Sequence, residues 1–433
     1  MRIIKAADNE FVDFFRKLRQ RGSSFTPEVL TAVADIVRDV AARGDEALIE
    51  YTAKFDNYEL TAATLEVTAD ERKAALAQVA PEHMEVIQLA ARRIEKYHKN
   101  QIVKGWLTDD EKGVEIGQKV LPLERVGIYA PGGKAFYPST LLMAAIPAHI
   151  AGVEEIFLVS PARDGKLHPL IAAAAEVSSV HRIFKVGGAQ AIAALAYGTA
   201  SIPRVDKIVG PGNAYVAAAK KLVFGQVDID MIAGPSEIVV IADKTAKAAF
   251  VAADMLAQAE HDEMAAAVLF TPDENLAREV AMEMEQQLKT LSRKAIMKNS
   301  LENYSAIIVT SDLDEAVILA NLFAPEHLEL MVENPTAVLR GVRNAGSVFL
   351  GSFTPEALGD YLAGTNHILP TEGTARFSSP LGVYDFIKRM SVLSFSPEAF
   401  KSLARPTAQF ARMEGLDAHA NSVDVRVNAE KNR

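Results

Sequence analysis

Apolar residues recur at spacings of three and four through most of the first hundred positions of the chain, with charged residues between them. Such spacing brings the apolar side chains to one face of a helix. We therefore expect helices over residues 28–55 and 69–99, and we interpret them as packing elements.

After residue 121 the pattern changes to short β-rich runs, each followed by a helical stretch. This alternation is typical of a parallel sheet whose strands are connected by helices. The expected strands form two series, 125–129, 156–159, 182–186 and 207–209, then 238–242, 266–271, 306–309 and 347–350. The chain is therefore predicted to have an α/β fold with two parallel-sheet units.

Length and charge narrow the range of functions. The chain has 433 residues, 49% of them hydrophobic and 24% charged, which is too long for one simple core. Its net charge of −10 is unsuited to neutralising phosphates, so no nucleic-acid partner is expected. No apolar run reaches the roughly 18 residues of a bilayer span, and the N-terminus lacks a signal-peptide core. We predict a cytoplasmic protein with a small-molecule ligand and no membrane partner.

Cysteine is absent from the sequence. Disulfides, thiolate metal ligands and thiol catalysis are therefore excluded. Any metal must be bound by nitrogen and oxygen atoms, which directs attention to the nine histidines and the carboxylates near them.

Two glycine-rich turns each follow a predicted strand directly: Ala130-Pro131-Gly132-Gly133 and Gly210-Pro211-Gly212-Asn213. Open α/β sheets bind ligands at such positions. Neither turn has the full G-x-G-x-x-G pattern, and each by itself is better explained as an ordinary strand-to-helix turn. A nucleotide site is one interpretation of the pair.

Gln258 and His261 lie at the end of the helical run 246–257, where their i, i+3 spacing places them on one face. An amide oxygen and an imidazole could share a metal there, although an isolated pair of this kind is usually two polar residues at a helix end. Further acids and imidazoles follow later in the chain: Glu326, His327, Asp360, His367, Glu414 and His419.

Glu326 and His327 are adjacent, between a predicted helix and the strand-like residues 328–332. A loop position of this kind suits general acid and base catalysis. If the segment is extended, neighbouring side chains point to opposite sides and only one reaches a pocket. A solvated Glu-His pair is the alternative.

In combination and in order, these segments resemble the histidinol dehydrogenases over nearly the whole chain. The resemblance is carried by Gly132-Gly133-Lys134-Ala135-Phe136-Tyr137-Pro138-Ser139, Val186-Gly187-Gly188-Ala189-Gln190-Ala191-Ile192-Ala193, Gly210-Pro211-Gly212-Asn213, Ala233-Gly234-Pro235-Ser236-Glu237, Gln258-Ala259-Glu260-His261, Pro325-Glu326-His327-Leu328 and Gly364-Thr365-Asn366-His367. The set is far more specific than any single turn.

The resemblance implies roles for particular residues. The implied catalytic bases are Glu326 and His327, and the implied zinc ligands are Gln258, His261, Asp360 and His419. The implied NAD contacts are Tyr129, Gln190 and Asn213, and the implied substrate contacts are Ser236, Gln258, His261, His327, Asp360, His367, Glu414 and His419. Glu414 and His419 would reach the site of the partner in an intertwined homodimer.

The resemblance also implies a domain organisation with two Rossmann-like α/β domains. Residues 1–25 would form an N-terminal helical segment, and residues 26–128 with 236–381 the domain that carries the metal. Residues 129–235 would bind NAD, and residues 382–433 would complete the partner's active site.

The implied reaction is the last step of histidine biosynthesis, the four-electron oxidation of L-histidinol through L-histidinal to L-histidine, with zinc and two NAD molecules. Three alternatives remain: a paralogue that oxidises another small alcohol such as a sulfonate-bearing diol, a metal-dependent hydrolase, and a non-catalytic scaffold. Glu414 and His367 favour histidinol over the sulfonate, since they would contact its polar groups.

Overall fold

The computed structural model describes residues 1–19, 21, 25–56, 58–131 and 136–431. The chain divides into a larger unit, Met1–Gln101 with Leu123–Phe386, and a smaller unit, Ile102–Pro122 with Ile387–Arg433. Their strands are β1 Ile3–Lys5, β2 Trp106–Thr108, β3 Val114–Pro122, β4 Arg125–Tyr129, β5 Glu155–Val159, β6 Arg182–Phe184, β7 Lys207–Val209, β8 Asp228–Ile229, β9 Glu237–Ala242, β10 Ala266–Thr271, β11 Ala306–Val309, β12 His327–Met331, β13 Ser347–Leu350 and β14 Ile387–Phe395.

The helices of the described residues alternate with these strands. They are α1 Asn9–Arg19, α2 Pro27–Arg43, α3 Asp45–Asp56, α4 Ala69–Leu76, α5 Pro81–His98, α6 Pro138–Ala151, α7 Pro169–Val177, α8 Gly188–Tyr197, α9 Ala214–Val223, α10 Ala248–Ala259, α11 Glu274–Leu288, α12 Lys294–Asn303, α13 Leu313–Phe323, α14 Pro335–Leu339, α15 Glu356–Tyr361, α16 Pro397–Met413 and α17 Asp417–Lys431. Among them none has the length and apolar character of a membrane span.

Both helices predicted in the first hundred residues are interrupted. Gly44, with a φ of +58°, separates α2 from α3, because this backbone conformation is open to glycine and ends a helix. Pro81 begins α5 after a break, since proline fits the first turn of a helix but not its interior. Sequence periodicity alone did not reveal these ends.

The larger parallel sheet contains, among the described residues, strands in the order β1-β11-β10-β9-β12-β13, all parallel to their neighbours. The strand order reverses between β9 and β12. Apolar residues fill both faces of the sheet, which is the usual condition of a parallel sheet.

The smaller parallel sheet has the order β6-β5-β4-β7-β8 within the described chain. Its reversal point lies between β4 and β7. The predicted α/β class with parallel sheets is confirmed, and the predicted strands are present with ends shifted by at most two residues.

The predicted domain boundaries differ from the observed packing. Residues 26–128 were assigned to the metal-carrying domain, but α2 and α3 pack on one face of the smaller sheet and α5 on the other. The smaller sheet needs helices on both faces, and its own crossover helices do not cover them completely. The predicted N-terminal segment 1–25 is also not separate, since β1 pairs with β11 in the larger sheet.

The smaller unit was predicted only as residues 382–433. It also includes Ile102–Pro122, and Val383–Phe386 belongs to the larger unit. Its described residues form an antiparallel sheet, β14-β3-β2, and a helix pair, α16 with α17, around Ala404, Ala408, Ala420 and Val423. The antiparallel sheet was not predicted, because β14 pairs with β3 although residues 123–386 separate the two strands in sequence.

Candidate active site

The predicted bases stand at the amino end of β12, where a sharp reversal brings the chain from α13 into the larger sheet. Ala324 ends α13 in the left-handed region with a φ of +52°, an uncommon conformation for a residue with a Cβ. Pro325 and Glu326 then lead into His327, the first residue of β12. His327 is in register with Ile238 of β9, so the site also borders the start of β9.

The backbone of Glu237, at the start of β9, holds both bases. Its N–H donates to Glu326 Oε2 at 3.0 Å, and its carbonyl oxygen lies 3.2 Å from His327 Nδ1. A carbonyl can only accept, so this contact favours the tautomer with the proton on His327 Nδ1 and the lone pair on Nε2. In that tautomer the Gln258 nitrogen, 3.3 Å from Nδ1, does not donate to it. Among the described residues Nε2 has no hydrogen-bond partner, and it lies 3.8 Å from Asp360 Oδ1. His327 is thus oriented as a proton acceptor.

Burial sets the protonation of the two bases. It lowers the pKa of His327 to about 3, so the imidazole is neutral near pH 7. It raises the pKa of Glu326 well above its ordinary value, and the carboxylates of Glu237 and Asp360 raise it further, against the N–H bond from Glu237. Glu326 and His327 both face the site, because Oε2 of Glu326 lies 3.8 Å from His327 Nδ1.

Glu237 is itself fixed by a buried ion pair with Arg21, whose Nη2 lies 2.8 Å from Glu237 Oε2. Arg21 Nη2 also donates to the Pro235 carbonyl at 3.1 Å. Ser236, predicted to contact substrate, is the half-buried residue between them. The loop that supports both bases and Ser236 is therefore tied to the N-terminal part of the chain.

Four candidate metal-binding groups lie in or next to two helices, α10 and α15. Gln258 is buried in the last turn of α10, and His261 is exposed just beyond it. Glu356 and Asp360 are four residues apart on α15, which places them on one face. Ligand atoms of His261, Glu356 and Asp360 lie within 4.8 Å of one another. Atoms around one zinc are up to about 4.2 Å apart, so small side-chain shifts would close this group on an ion.

The amide of Gln258 contacts Glu356 and His327. When its nitrogen is assigned to the side that satisfies its neighbours, it donates to Glu356 Oε1 at 3.0 Å and Oε2 at 3.2 Å. The carbonyl oxygen of Gln258 then remains available to a metal. The donor set consists only of nitrogen and oxygen atoms, as the absence of cysteine requires.

The acids of this site are too close together to be ionised without a compensating charge. Burial raises the pKa of Asp360 to about 7 and that of Glu356 well above its ordinary value, and the Asp360 charge raises the latter further. Beneath them, burial raises the pKa of Asp254 to about 6. Several buried carboxyl groups that raise one another's pKa suit a site that holds a cation.

His367 lies beside Asp360 and against α6 of the smaller sheet. Its Nδ1 is 3.1 Å from the Asp360 carbonyl oxygen, and its Nε2 is 2.9 Å from Thr140 Oγ1 on α6. Asn366 adds a bond from Nδ2 to the Met143 carbonyl at 2.7 Å. The predicted substrate residue is therefore held where the two parallel sheets meet within the larger unit.

The predicted NAD residues lie at the carboxyl ends of strands in the smaller sheet. Tyr129 ends β4, and its hydroxyl accepts from the Gly188 N–H at 3.3 Å at the start of α8. Gln190, 1% exposed, has no hydrogen-bond partner for either side-chain atom among the described residues. Asn213 caps α9 after β7, accepting from Tyr215 and Val216 N–H groups at 3.0 and 3.1 Å. Tyr129 and Asn213 flank the reversal point of the sheet, and the buried, unpartnered amide of Gln190 fits a bound ligand.

Two predicted features lie elsewhere. Gly132 and Gly133 of the first glycine-rich turn, with Lys134 and Ala135, are outside the described residues. Glu414 and His419 belong to the smaller unit, where Glu414 ends α16 and His419 is on α17, both exposed. The larger unit therefore gathers Gln258, His261, Glu326, His327, Asp360 and His367 at one site, and Ser236 precedes the supporting residue Glu237 in sequence.

With this geometry established, comparison with known proteins identifies the family. The model of the family described as histidinol dehydrogenase matches residues 19–427. The chain belongs to the histidinol dehydrogenase family.

Relatives across the family match almost the full length of the chain. It is 54% identical to the histidinol dehydrogenase of Syntrophotalea carbinolica, over 99% of each chain. It is 53% identical to that of Geobacter sulfurreducens, over 99% of this chain and 100% of the relative. The crystal structure of histidinol dehydrogenase from Elizabethkingia anophelis has a TM-score of 0.93 and 39% identity, and covers 100% of this chain and 99% of that one. The predicted family is confirmed, and with it the predicted class, an NAD-dependent oxidoreductase of histidine biosynthesis.

Sequence reasoning missed several residues that build this site. Glu356 was detectable, since it precedes the predicted ligand Asp360 by one helical turn. Arg21, Glu237 and Thr140 were not, because their contacts with the site join segments that are distant in sequence.

Proposed function

We propose that the chain oxidises L-histidinol through L-histidinal to L-histidine, using two NAD molecules in turn at one zinc site. The observation that carries this proposal is the free Nε2 of His327. It is a neutral imidazole nitrogen without a partner among the described residues, and it lies 3.8 Å from Asp360 Oδ1. Such a group can accept a hydroxyl proton.

Gln258, His261 and Asp360 would hold the zinc, together with His419 from a second copy of the chain. When bound, zinc would supply positive charge and open coordination positions for the amine and imidazole of histidinol. The cluster of buried acids at this place supports the assignment, as do the nitrogen and oxygen donors within 4.8 Å of one another.

Tyr129, Gln190 and Asn213 would hold NAD, which accepts the hydride in each oxidation. The unpartnered amide of Gln190 supports this role. His367 connects the two regions, because its ring contacts both Asp360 and a helix of the smaller parallel sheet.

In the first oxidation, His327 Nε2 takes the hydroxyl proton of histidinol, and it then gives this proton up to water, since its pKa is lowered to about 3. Glu326, in its ionised form, removes a proton from water as the aldehyde becomes hydrated. His327, again neutral, takes a hydroxyl proton in the second oxidation. The bond from Glu237 N–H keeps Glu326 Oε2 in place for this task. No thioester is needed, in agreement with the absence of cysteine.

Substrate contacts are assigned to residues on both sides of the bases: Ser236, Gln258, His261, His327, Asp360, His367, Glu414 and His419. Of those in the larger unit, Asp360 lies 3.8 Å from the free nitrogen of His327, and His367 contacts Asp360 in turn. Glu414 and His419 are exposed on the smaller unit and would act on the partner's substrate.

A homodimer with shared sites is part of the proposal. The smaller unit exposes large apolar side chains, among them Leu107, Leu393, Phe410 and Met413, on a scale that favours an interface. A chain truncated before Glu414 should be inactive, and mixing it with a His261→Asn chain should restore activity in heterodimers. Heterodimers without activity would contradict shared sites.

Product stoichiometry tests the main proposal. Purified protein with L-histidinol, NAD and zinc should form about two NADH per histidine, as a four-electron oxidation by a two-electron acceptor requires. A ratio well above two would indicate release of the aldehyde before the second oxidation, and absence of NADH would overturn the proposal. The cytoplasmic location stays a prediction from the sequence.

A further inference from the structure

A salt bridge lies buried beneath the second glycine-rich turn, between Lys220 of α9 and Asp230, which follows β8. The two side chains are 2% and 1% exposed. Burying two charges costs desolvation free energy that their attraction seldom exceeds, so such a pair is weak evidence for stability. Another role is expected for it.

The pair binds both polar groups of one backbone residue, Gly210. Asp230 Oδ2 accepts from the Gly210 N–H at 2.7 Å, and Lys220 Nζ donates to the Gly210 carbonyl at 3.0 Å. The other oxygen, Asp230 Oδ1, accepts from Lys220 and from the Met231 N–H. The pair therefore fixes the orientation of the backbone at Gly210.

The backbone at Gly210 is also constrained on the side that faces β4. Gly210 has a φ of +109°, a conformation that residues with a Cβ rarely adopt. A Cβ there would lie 2.2 Å from the carbonyl oxygen of Tyr129, the last residue of β4. The turn thus packs directly against the strand that carries one candidate NAD residue, and it leads into Asn213, which carries another.

We propose that Lys220 and Asp230 position the turn from Gly210 to Asn213 for NAD binding. This inference rests on the proposed NAD site, and it makes the pair positioning residues that do not touch the cofactor. Their charge-assisted bonds hold the turn, so that the end of β4 and the start of α9 keep the spacing that NAD requires.

Removal of one partner would leave the other charge buried and unpaired, which destabilises the fold. The test therefore uses the double variant Lys220→Met/Asp230→Leu, since apolar replacement of a whole buried pair is often neutral or stabilising. The same exchange at Lys207 and Asp228 serves as control. That pair spans 2.9 Å between β7 and β8, and the described residues show no bond from it to Gly210.

NAD affinity is measured by direct titration, together with melting temperature, bound zinc and the KM for histidinol. We expect the apolar double variant to keep its melting temperature, zinc and histidinol KM. Its Kd for NAD should rise about tenfold, the loss expected for one charge-assisted hydrogen bond. The neutral variant Lys220→Gln/Asp230→Asn, which keeps an acceptor for Gly210, should show a smaller rise, and the control none.

An unchanged Kd for NAD in a folded apolar variant would overturn the inference, as would an equal rise in the control. If the apolar variant is unfolded, an unchanged Kd in the neutral variant would overturn it. Failure of the unaltered chain to bind NAD would instead refute the proposed NAD site, and the inference with it.

Discussion

The two parallel sheets carry their candidate sites at opposite ends. In the smaller sheet, Tyr129 and Asn213 follow the carboxyl ends of β4 and β7, at the point where the strand order reverses. In the larger sheet, Glu326 and His327 stand at the amino ends of β9 and β12, also at a reversal point. Only the first arrangement follows the usual rule for open α/β sheets.

The sites also differ in how they are held. At the first site a buried ion pair acts on the backbone of the turn, and the buried amide of Gln190 has no hydrogen-bond partner among the described residues. Near His327 lie buried acids: burial raises the pKa of Glu326, Glu356 and Asp360, and neighbouring carboxylates raise the pKa of Glu326 and Glu356 further. We conclude that the first site needs correct backbone geometry, whereas the second depends on an added positive charge.

Substitution of a candidate metal ligand should have the largest effect, and it should impair the site of the larger sheet without impairing the candidate NAD site. His261→Asn removes an imidazole from a site that has no thiolate to replace it, so bound zinc and activity should fall together, by more than in any variant below. NAD affinity should stay near that of the unaltered chain. Metal analysis, turnover and NAD titration check this, with His83→Asn, at an exposed histidine of α5, as control. Stoichiometric zinc with normal activity would show that His261 is not a ligand.

Substitutions of the two candidate bases should slow different steps of the reaction. Glu326→Gln keeps the shape of the side chain but cannot take a proton from water, so aldehyde hydration and the second oxidation should slow more than the first. His327→Asn should slow both hydride transfers. Each loss should cost about 10² to 10⁴ in its own step.

Single-turnover measurements that start from histidinol and from histidinal resolve these steps. Equal slowing of both steps by both variants would refute the division of roles, while leaving the metal assignment intact.

Glu356, which was found only in the structure, provides a second test of the candidate metal site. In Glu356→Gln the new amide would face the amide of Gln258, whose nitrogen now donates to Glu356 at 3.0 and 3.2 Å. Because Glu356 would orient a zinc ligand, the Glu356→Gln substitution should lower zinc affinity about 10- to 100-fold. Competition with a chelator measures this, and the exposed Glu333→Gln is the control. A loss as complete as in His261→Asn would make Glu356 itself a ligand.

The sequence predicted the bounds of individual strands better than the packing of distant segments against one another. The bounds of β4, β7, β10, β11 and β13 agree with the prediction, because strand patterns and the turns after them are local signals. The pairing of β1 with β11 and the packing of α2 on the smaller sheet depend on contacts between distant segments.

The same distinction holds for the candidate sites. A glycine turn after a strand predicts a ligand at the carboxyl end of the smaller sheet. No comparable pattern predicts a site at the amino end of the larger one. There the resemblance supplied Glu326 and His327, and only the structure revealed Arg21 and Glu237 behind them.

The smallest effect is expected at Gln190, in the candidate NAD site. Its amide is buried, and neither polar atom has a partner among the described residues, a condition that costs stability in the absence of ligand. Gln190→Leu should therefore leave the melting temperature of the NAD-free protein unchanged or raised.

The same variant should weaken NAD binding about tenfold, since the cofactor loses a hydrogen-bonding partner in a dry site. Bound zinc should not change, because Gln190 belongs to the other sheet. A higher melting temperature together with weaker NAD binding would show that the Gln190 amide serves the ligand and not the fold. A lower melting temperature with unchanged NAD affinity would instead mean that Gln190 supports the fold, and the contrast between a backbone-held NAD site and a charge-dependent catalytic site would lose its first half.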